Sequence, residues 1–314
     1  MALATTALNQ PAGKTQSGGY AIDNEVLSGI RQASKKTGVD FGYLMAQAAQ
    51  ESGFQPAVKA ATSSATGLYQ FLDSTWLGMV RDAGSKHGLS DLAAKIGTDG
   101  SVRDPDARRQ ILELRKDPKV SAVIGAEFAL SNKDQLENAL GRKVGASELY
   151  IAHFLGAGGA TRFLKAVEKN ANTPAADLMP QAAAANRWVF YDRESGAPRS
   201  VGDIYKMFSR SIESKSNQFA TLSDGAPSGF AGVSGPRFGG ADTARVGAYK
   251  TLPTANLANS PMGSVDLNGP TPSLFAVLSM LALDLPGTGL GGNDSLFGKD
   301  GSDGQAYRRT NHLI

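Results

Sequence analysis

Between positions 20 and 219 the apolar residues recur at helical spacing, and they stop where Gly or Pro punctuates the chain. Val26, Leu27, Ile30 and Ala33 form one such face, which ends near Thr37-Gly38. A second helix is expected from Asp40, a good N-cap, through Leu44, Met45 and Ala48 to Ser52-Gly53. Ser74 is the expected cap of a third, which carries Trp76, Leu77 and Val80. Pro105 sits in the first turn of a fourth, whose Ile111 and Leu114 share a face. Pro118 ends that segment, and Val120, Val123, Ile124 and Phe128 continue on a new helix. Ser147 opens another through Leu149, Tyr150, Ile151, Phe154 and Leu155. After glycines 156, 158 and 159, Phe163, Leu164 and Val167 begin one more, and a later helix covers Val201–Ile212.

No alternating run of strand length stands out. The expected class is therefore all-α, with one core over residues 20–219. The flanks differ. Residues 1–19 are small and polar and read as a flexible arm. Residues 220–314 are dominated by Gly, Ser, Pro, Asn and Asp and read as a mostly disordered tail. Within the tail, 273–285 is a short apolar segment of the kind that docks on a partner or packs back on the core. Inside the helical region, Gly53–Asp73 is a long connection poor in large aliphatics, and long ordered loops often carry function.

Composition narrows the chemistry. The absence of Cys removes disulfides, thiolate nucleophiles and Cys-based metal sites. The three His (His87, His153, His312) are far apart in sequence, so no metal site and no cofactor are expected. A net charge of +3 without a Lys/Arg cluster gives no nucleic-acid footprint, only weak attraction to an anionic polymer. The apolar stretch Leu274–Leu283 is about ten residues, too short for a membrane span. Residues 1–19 lack the continuous apolar run of a secretory signal. Residues 291–301 look like a calcium-binding nonapeptide turn, but barely more than one copy cannot stack, and no calcium is expected.

One acidic residue stands apart. Glu51 lies at the C-terminal end of an apolar helix, where the helix dipole disfavours an anion and apolar neighbours disfavour charge. Both effects suit a general acid. Its neighbourhood gives the residue a context: Glu51-Ser52-Gly53-Phe54-Gln55-Pro56 is followed by Ala65-Thr66-Gly67-Leu68-Tyr69-Gln70-Phe71, with Glu51 and Gln70 19 positions apart. These two blocks resemble those of the soluble lytic transglycosylase family (glycoside hydrolase family 23), which has a goose-lysozyme-like fold. There, Glu-Ser precedes an aromatic-Asn-Pro segment, and Gly-Leu-Met-Gln follows. The resemblance covers roughly residues 20–170. A third family motif, Ala-Tyr-Asn-x-Gly, is degenerate here. In Ala152-His153-Phe154-Leu155-Gly156, His153 stands at the Tyr position, and Tyr150 lies one turn earlier.

The resemblance implies cleavage of peptidoglycan glycan strands with Glu51 as the single acid and base. A second carboxylate is not evident. Asp40 is eleven positions from Glu51, roughly 16 Å along a helix, and Asp73 reads as a helix cap. The route implied is protonation of the glycosidic oxygen between N-acetylmuramic acid and N-acetylglucosamine, then closure of a 1,6-anhydro ring. Ser52 and Gln70 are expected near the acid and the sugar, and Tyr69 and Phe71 offer ring faces to a pyranose or pack in the core. Either Tyr150 or His153 supports Glu51. The alternatives are a hydrolytic muramidase of the same fold, or a non-catalytic cell-wall-binding or assembly module. The implied substrate places the protein in the periplasm or cell envelope. A secretion or flagellar apparatus reached through the tail is one route to it; carriage on a phage particle is another.

Overall fold

The computed structural model describes residues 13–61 and 63–227. Residues 1–12 of the expected arm, most of the expected tail, the apolar segment 273–285 and the nonapeptide turn lie outside the described residues. What is described is largely α-helical with one two-stranded sheet.

That sheet corrects the expectation of a flexible arm up to residue 19. Strand β1 (Lys14–Ser17) pairs antiparallel with β2 (Tyr20–Asp23), in a register that sets Lys14 opposite Asp23 and Ser17 opposite Tyr20. Gly18 and Gly19 both take positive φ, 60° and 80°, as a two-residue hairpin loop requires. The strands escape a pattern search because they are four residues long and β1 carries no apolar residue. Ile22 alone is fully buried and anchors the ribbon.

Helix α1 (Asn24–Thr37) ends at Gly38, which is left-handed with its N–H on the Ser34 carbonyl. Its buried face, which includes Val26, Leu27, Ile30 and Ala33, packs along α6 (Pro118–Leu140). Helix α2 (Phe41–Ser52) is the centre of the molecule. Asp40 caps it as expected, its carboxylate accepting from the Tyr43 N–H at 2.6 Å. It is enclosed on nearly every side, with buried residues on all faces from Phe41 to Ser52.

Helix α3 (Asp73–Ala83) departs from expectation at its start. It begins at Asp73 after Leu72, with no side-chain cap, so neither Ser74 nor Asp73 caps it. The Asp73 carboxylate is instead held by Arg108 at 2.9 Å and Arg115 at 2.8 Å. A short α4 (Ser90–Ala93) leads to α5 (Pro105–Glu113), with Asp104 as N-cap and Pro105 in its first turn. Pro118 then occupies the first turn of α6, capped by Asp117.

Helix α7 (Ala146–Lys169) opens differently from expectation. The Gly145 N–H donates to Glu148 at 2.9 Å, and the Ser147 hydroxyl turns to Glu213. The glycine run does interrupt it: Gly156 sits at φ 69°, ψ 159°, a kink between two helical halves. Three short helices follow, α8 (Ala175–Leu178), α9 (Pro180–Ala185) and α10 (Arg187–Phe190), which the sequence pattern was too brief to announce. The final helix, α11 (Val201–Phe219), runs beyond the expected Ile212 and packs against both α2 and α7. No helix among the described residues is long and apolar enough to cross a membrane.

Candidate active site

Glu51 is carried by the last turn of α2 and is 4% exposed. Gly53 ends the helix in the left-handed region at φ 57°, and Phe54 follows at φ 65°, a costly conformation for a residue with a Cβ. Packing holds it there. The Phe54 ring meets Tyr20 edge-on at 5.2 Å and Phe219 edge-on at 5.4 Å. The N-terminal hairpin and the end of α11 therefore fix the turn just after Glu51.

The loop from Gly53 to Asp73 comes back beneath this turn and is tied to it by Ser52. The Ser52 hydroxyl donates to the Leu68 carbonyl at 2.8 Å, with the Ala48 carbonyl 3.1 Å away. Within the loop, isolated bridges pair Lys59 with Thr66 and Thr66 with Phe71. The Gln70 amide nitrogen donates to the carbonyls of Gly67 and Val58, at 2.9 and 3.1 Å. Arg115, which the sequence reading missed, locks the same loop from outside. Its guanidinium reaches the carbonyls of Ser64 (2.9 Å), Phe71 (3.0 Å) and Leu112 (3.0 Å), besides Asp73.

These contacts revise several roles. Ser52 and Gln70 are buried, and their hydrogen-bond donors are committed to backbone carbonyls, so they shape the loop instead of presenting donors to a sugar. Tyr69 and Phe71 are each 1% exposed and belong to the core, not to a sugar-stacking surface. The Tyr69 hydroxyl donates to the Leu44 carbonyl, and Phe71 packs edge-on against Trp76 and Phe128. Tyr69 also lies so close to Gly125 of α6 that a Cβ there would meet its ring at 3.0 Å.

Of the two residues left open on α7, His153 is the one in contact with the acid. Its Nε2 lies 3.1 Å from Oε1 of Glu51, and both side chains are almost fully buried. Tyr150 stacks beside the imidazole, with centroids 6.5 Å apart at 20°, and is hydrogen-bonded to Gln50. Burial raises the Tyr150 hydroxyl well above the ordinary tyrosine range, and the charge of Glu51 raises it further. Tyr43 is raised for the same two reasons. Both phenols therefore stay protonated beside the acid. A second residue missed by sequence reading, Gln47, completes the set with its amide nitrogen 2.7 Å from Nδ1 of His153. Only its place one turn before Glu51 on an apolar helix marked it.

The other oxygen of Glu51, Oε2, is closed to solvent and has no hydrogen-bond partner. The carboxylates nearest Glu51 in sequence are engaged elsewhere: Asp40 caps the opposite end of α2, Asp73 binds two arginines, and Asp82 pairs with Arg81. Among the described residues, no cluster of three or more His, Asp or Glu is placed to hold a metal ion. An open cavity of about 370 Å³ beside the loop is lined by Lys59, Asp73, Arg108, Arg109 and Arg115 among others, and its lining does not include Glu51.

A helical domain with a buried helix-end carboxylate, backed by an imidazole and a folded loop, is built for proton transfer. Residues 28–93 match the family model of the transglycosylase SLT domain. The match runs from within α1 to the end of α4, about a fifth of the chain, and supports a lytic-transglycosylase-type activity in general. It contains Glu51 and the loop through Phe71, but it stops well before Tyr150 and His153.

Proposed function

We propose that this protein is a peptidoglycan lytic transglycosylase with a goose-lysozyme-like catalytic domain. It cleaves the β-1,4 bond between N-acetylmuramic acid and N-acetylglucosamine and leaves a 1,6-anhydromuramyl end. The observation that carries this reading is the surroundings of Glu51, where the groups that interact with it among the described residues are an imidazole and protonated phenols. Glycosidases that hydrolyse by the usual routes place a second carboxyl group about 5 to 9.5 Å from the first. An intramolecular closure needs no such partner, because the attacking hydroxyl is already on the sugar.

In the first step Glu51 protonates the glycosidic oxygen as the bond to C1 breaks. The sugar's own acetamido group stabilises the positive charge that develops at C1. Glu51, now a carboxylate, takes the proton of the C6 hydroxyl as that oxygen bonds C1. His153 holds Glu51 in place throughout. Burial of the carboxyl group keeps water from competing with the C6 hydroxyl, and the packing over Oε2 has to open for a glycan strand to reach it. The substrate sets the location, the periplasm or cell envelope, and the C-terminal tail is the segment available to a secretion or flagellar apparatus.

The test is mass spectrometry of the products released from purified sacculi. Anhydromuramyl ends are expected, and Glu51→Gln should lower release by about a hundredfold or more while the amide oxygen still accepts from His153. Reducing ends would overturn the closure step in favour of hydrolysis. Unchanged release by the variant would overturn the assignment of Glu51, and no release by the wild type would leave a wall-binding module.

A further inference from the structure

Gln47 lies one turn before Glu51 on α2, so the two side chains share a helix face. It is 3% exposed, a polar amide among Leu44, Met45 and Ala48. Half of that amide is unsatisfied, because its carbonyl oxygen is buried with no hydrogen-bond partner. An unpaired polar atom in a core helix is a cost that packing alone does not repay. What the residue gains is at its other end, where the amide nitrogen meets Nδ1 of His153 at 2.7 Å.

An amide nitrogen only donates, so Nδ1 must offer its lone pair. The proton of a neutral His153 ring then sits on Nε2, which faces Oε1 of Glu51 at 3.1 Å. A carboxylic acid carries one proton. With Oε1 accepting from the ring, that proton belongs on Oε2, the oxygen without a partner.

We infer that Gln47 is a positioning residue for the acid: by holding His153 in its Nε2–H form, it directs the Glu51 proton to Oε2. Oε2 is then the atom that gives a proton to the glycosidic oxygen and receives one from the C6 hydroxyl. The ring proton stays on Nε2 throughout, so no further acid, base or co-reactant enters the balance. The opposite arrangement has a different outcome. A turned amide would set its carbonyl against Nδ1, move the ring proton there, and leave bare Nε2 facing Oε1. Two lone pairs would then oppose each other unless Glu51 kept its proton on Oε1, where it is committed to the imidazole. The catalytic consequence rests on the function proposed above, whereas the position of the ring proton is a property of the resting protein.

The experiment is a long-range proton–nitrogen correlation spectrum of the full chain labelled with nitrogen-15 in its histidines. With only three His, the His153 signals are assigned by their loss in His153→Gln. The wild type should show His153 protonated on Nε2. Gln47→Glu replaces the donor with an acceptor of the same shape. It should bring a proton to Nδ1 and lower anhydromuropeptide release by about tenfold or more, with the helical circular dichroism unchanged. A wild-type ring protonated on Nδ1, or a Gln47→Glu protein with wild-type rate, overturns the inference. If that variant does not fold, the wild-type spectrum decides alone. A wild type that is inert on sacculi but shows the Nε2–H ring sinks the proposed reaction and still supports the role of Gln47 toward the imidazole.

Discussion

Gly67 is the position where a single methyl group should undo the loop that backs the acid. Its φ is 90°, and a Cβ built there would lie 2.2 Å from the Arg115 carbonyl oxygen and 2.9 Å from its carbonyl carbon. Neither atom is the end of a flexible side chain, so backbone must move. Two costs follow for Gly67→Ala. Placing Ala at this φ costs roughly 1–2 kcal/mol, and overpacking against a fixed backbone adds about 1–3 kcal/mol. The Arg115 backbone cannot simply retreat, because its guanidinium is bonded to the carbonyls of Ser64 and Phe71 on the same loop. The expected loss is therefore about 3 kcal/mol, which for a folded region of this size lowers Tm by about 6–12 °C. Activity should fall as well, since the Leu68 carbonyl that receives Ser52 is the next residue. Urea denaturation with matched melts gives the first quantity, and release from sacculi below the new Tm gives the second. A Gly67→Ala protein within about 0.5 kcal/mol of wild type would refute the close approach and the ordering of the loop built on it.

Arg115→Met keeps the apolar stem but leaves Asp73 to Arg108 alone and removes the donor from the Ser64 and Phe71 carbonyls of the loop and the Leu112 carbonyl of α5. The expected loss is about 2–4 kcal/mol by urea denaturation, from carbonyls that lose a charged donor, and a loss under about 1 kcal/mol would show that the loop does not depend on the guanidinium. Glu137, near the end of α6, governs an acid-dependent contribution. Burial pushes its carboxyl group up, but Lys133, Lys143 and the Val144 N–H outweigh burial and bring it from 4.5 down to about 2. A depressed folded value stabilises the protein above pH 4.5, and that contribution is lost as pH falls through about 2. Wild type should exceed Glu137→Gln by about 1–2 kcal/mol near neutrality after screening, with the gap closing in acid. A gap that does not change with pH in thermal melts would contradict the ion-pair assignment.

The parts of the fold that the sequence announced are those set by local chemistry. The Asp40 cap, Pro105 in the first turn of α5, the helix stops at Gly38 and Gly53, and the break at Gly156 each follow from the residue type at that position. The hairpin was missed because its side chains carry no alternation, and α8–α10 because four to six residues hold too little of a helical repeat. At the site, Glu51 was evident from its position and context. The roles of Ser52, Tyr69, Gln70 and Phe71 were not, because a motif does not say which way its side chains point once the loop folds under the helix. Burial decides that, and it turned all four inward. The choice between Tyr150 and His153 was likewise beyond spacing alone. It depends on the rotation of α7 against α2, which is set by packing among α2, α6, α7 and α11.

The site therefore depends on far more chain than the matched family segment. Residues 28–93 bring Glu51 and its supporting loop together, through one hydroxyl bridging Ser52 and Leu68. The imidazole that touches the acid comes from α7, 102 positions later. The turn that aims the acid is clamped through Phe54 by Tyr20 and Phe219, whose own rings lie 6.1 Å apart. Phe219 is fully buried at the very end of α11, and beyond it the Pro227 carbonyl accepts the Phe41 N–H at the start of α2. Both ends of α2 are thus held by the C-terminal part of the described chain. In the proposed reaction a carboxyl group that gives and regains a proton on one oxygen needs its position and its partner fixed independently. Here the hairpin and α11 fix the position, and α7 with Gln47 fixes the partner.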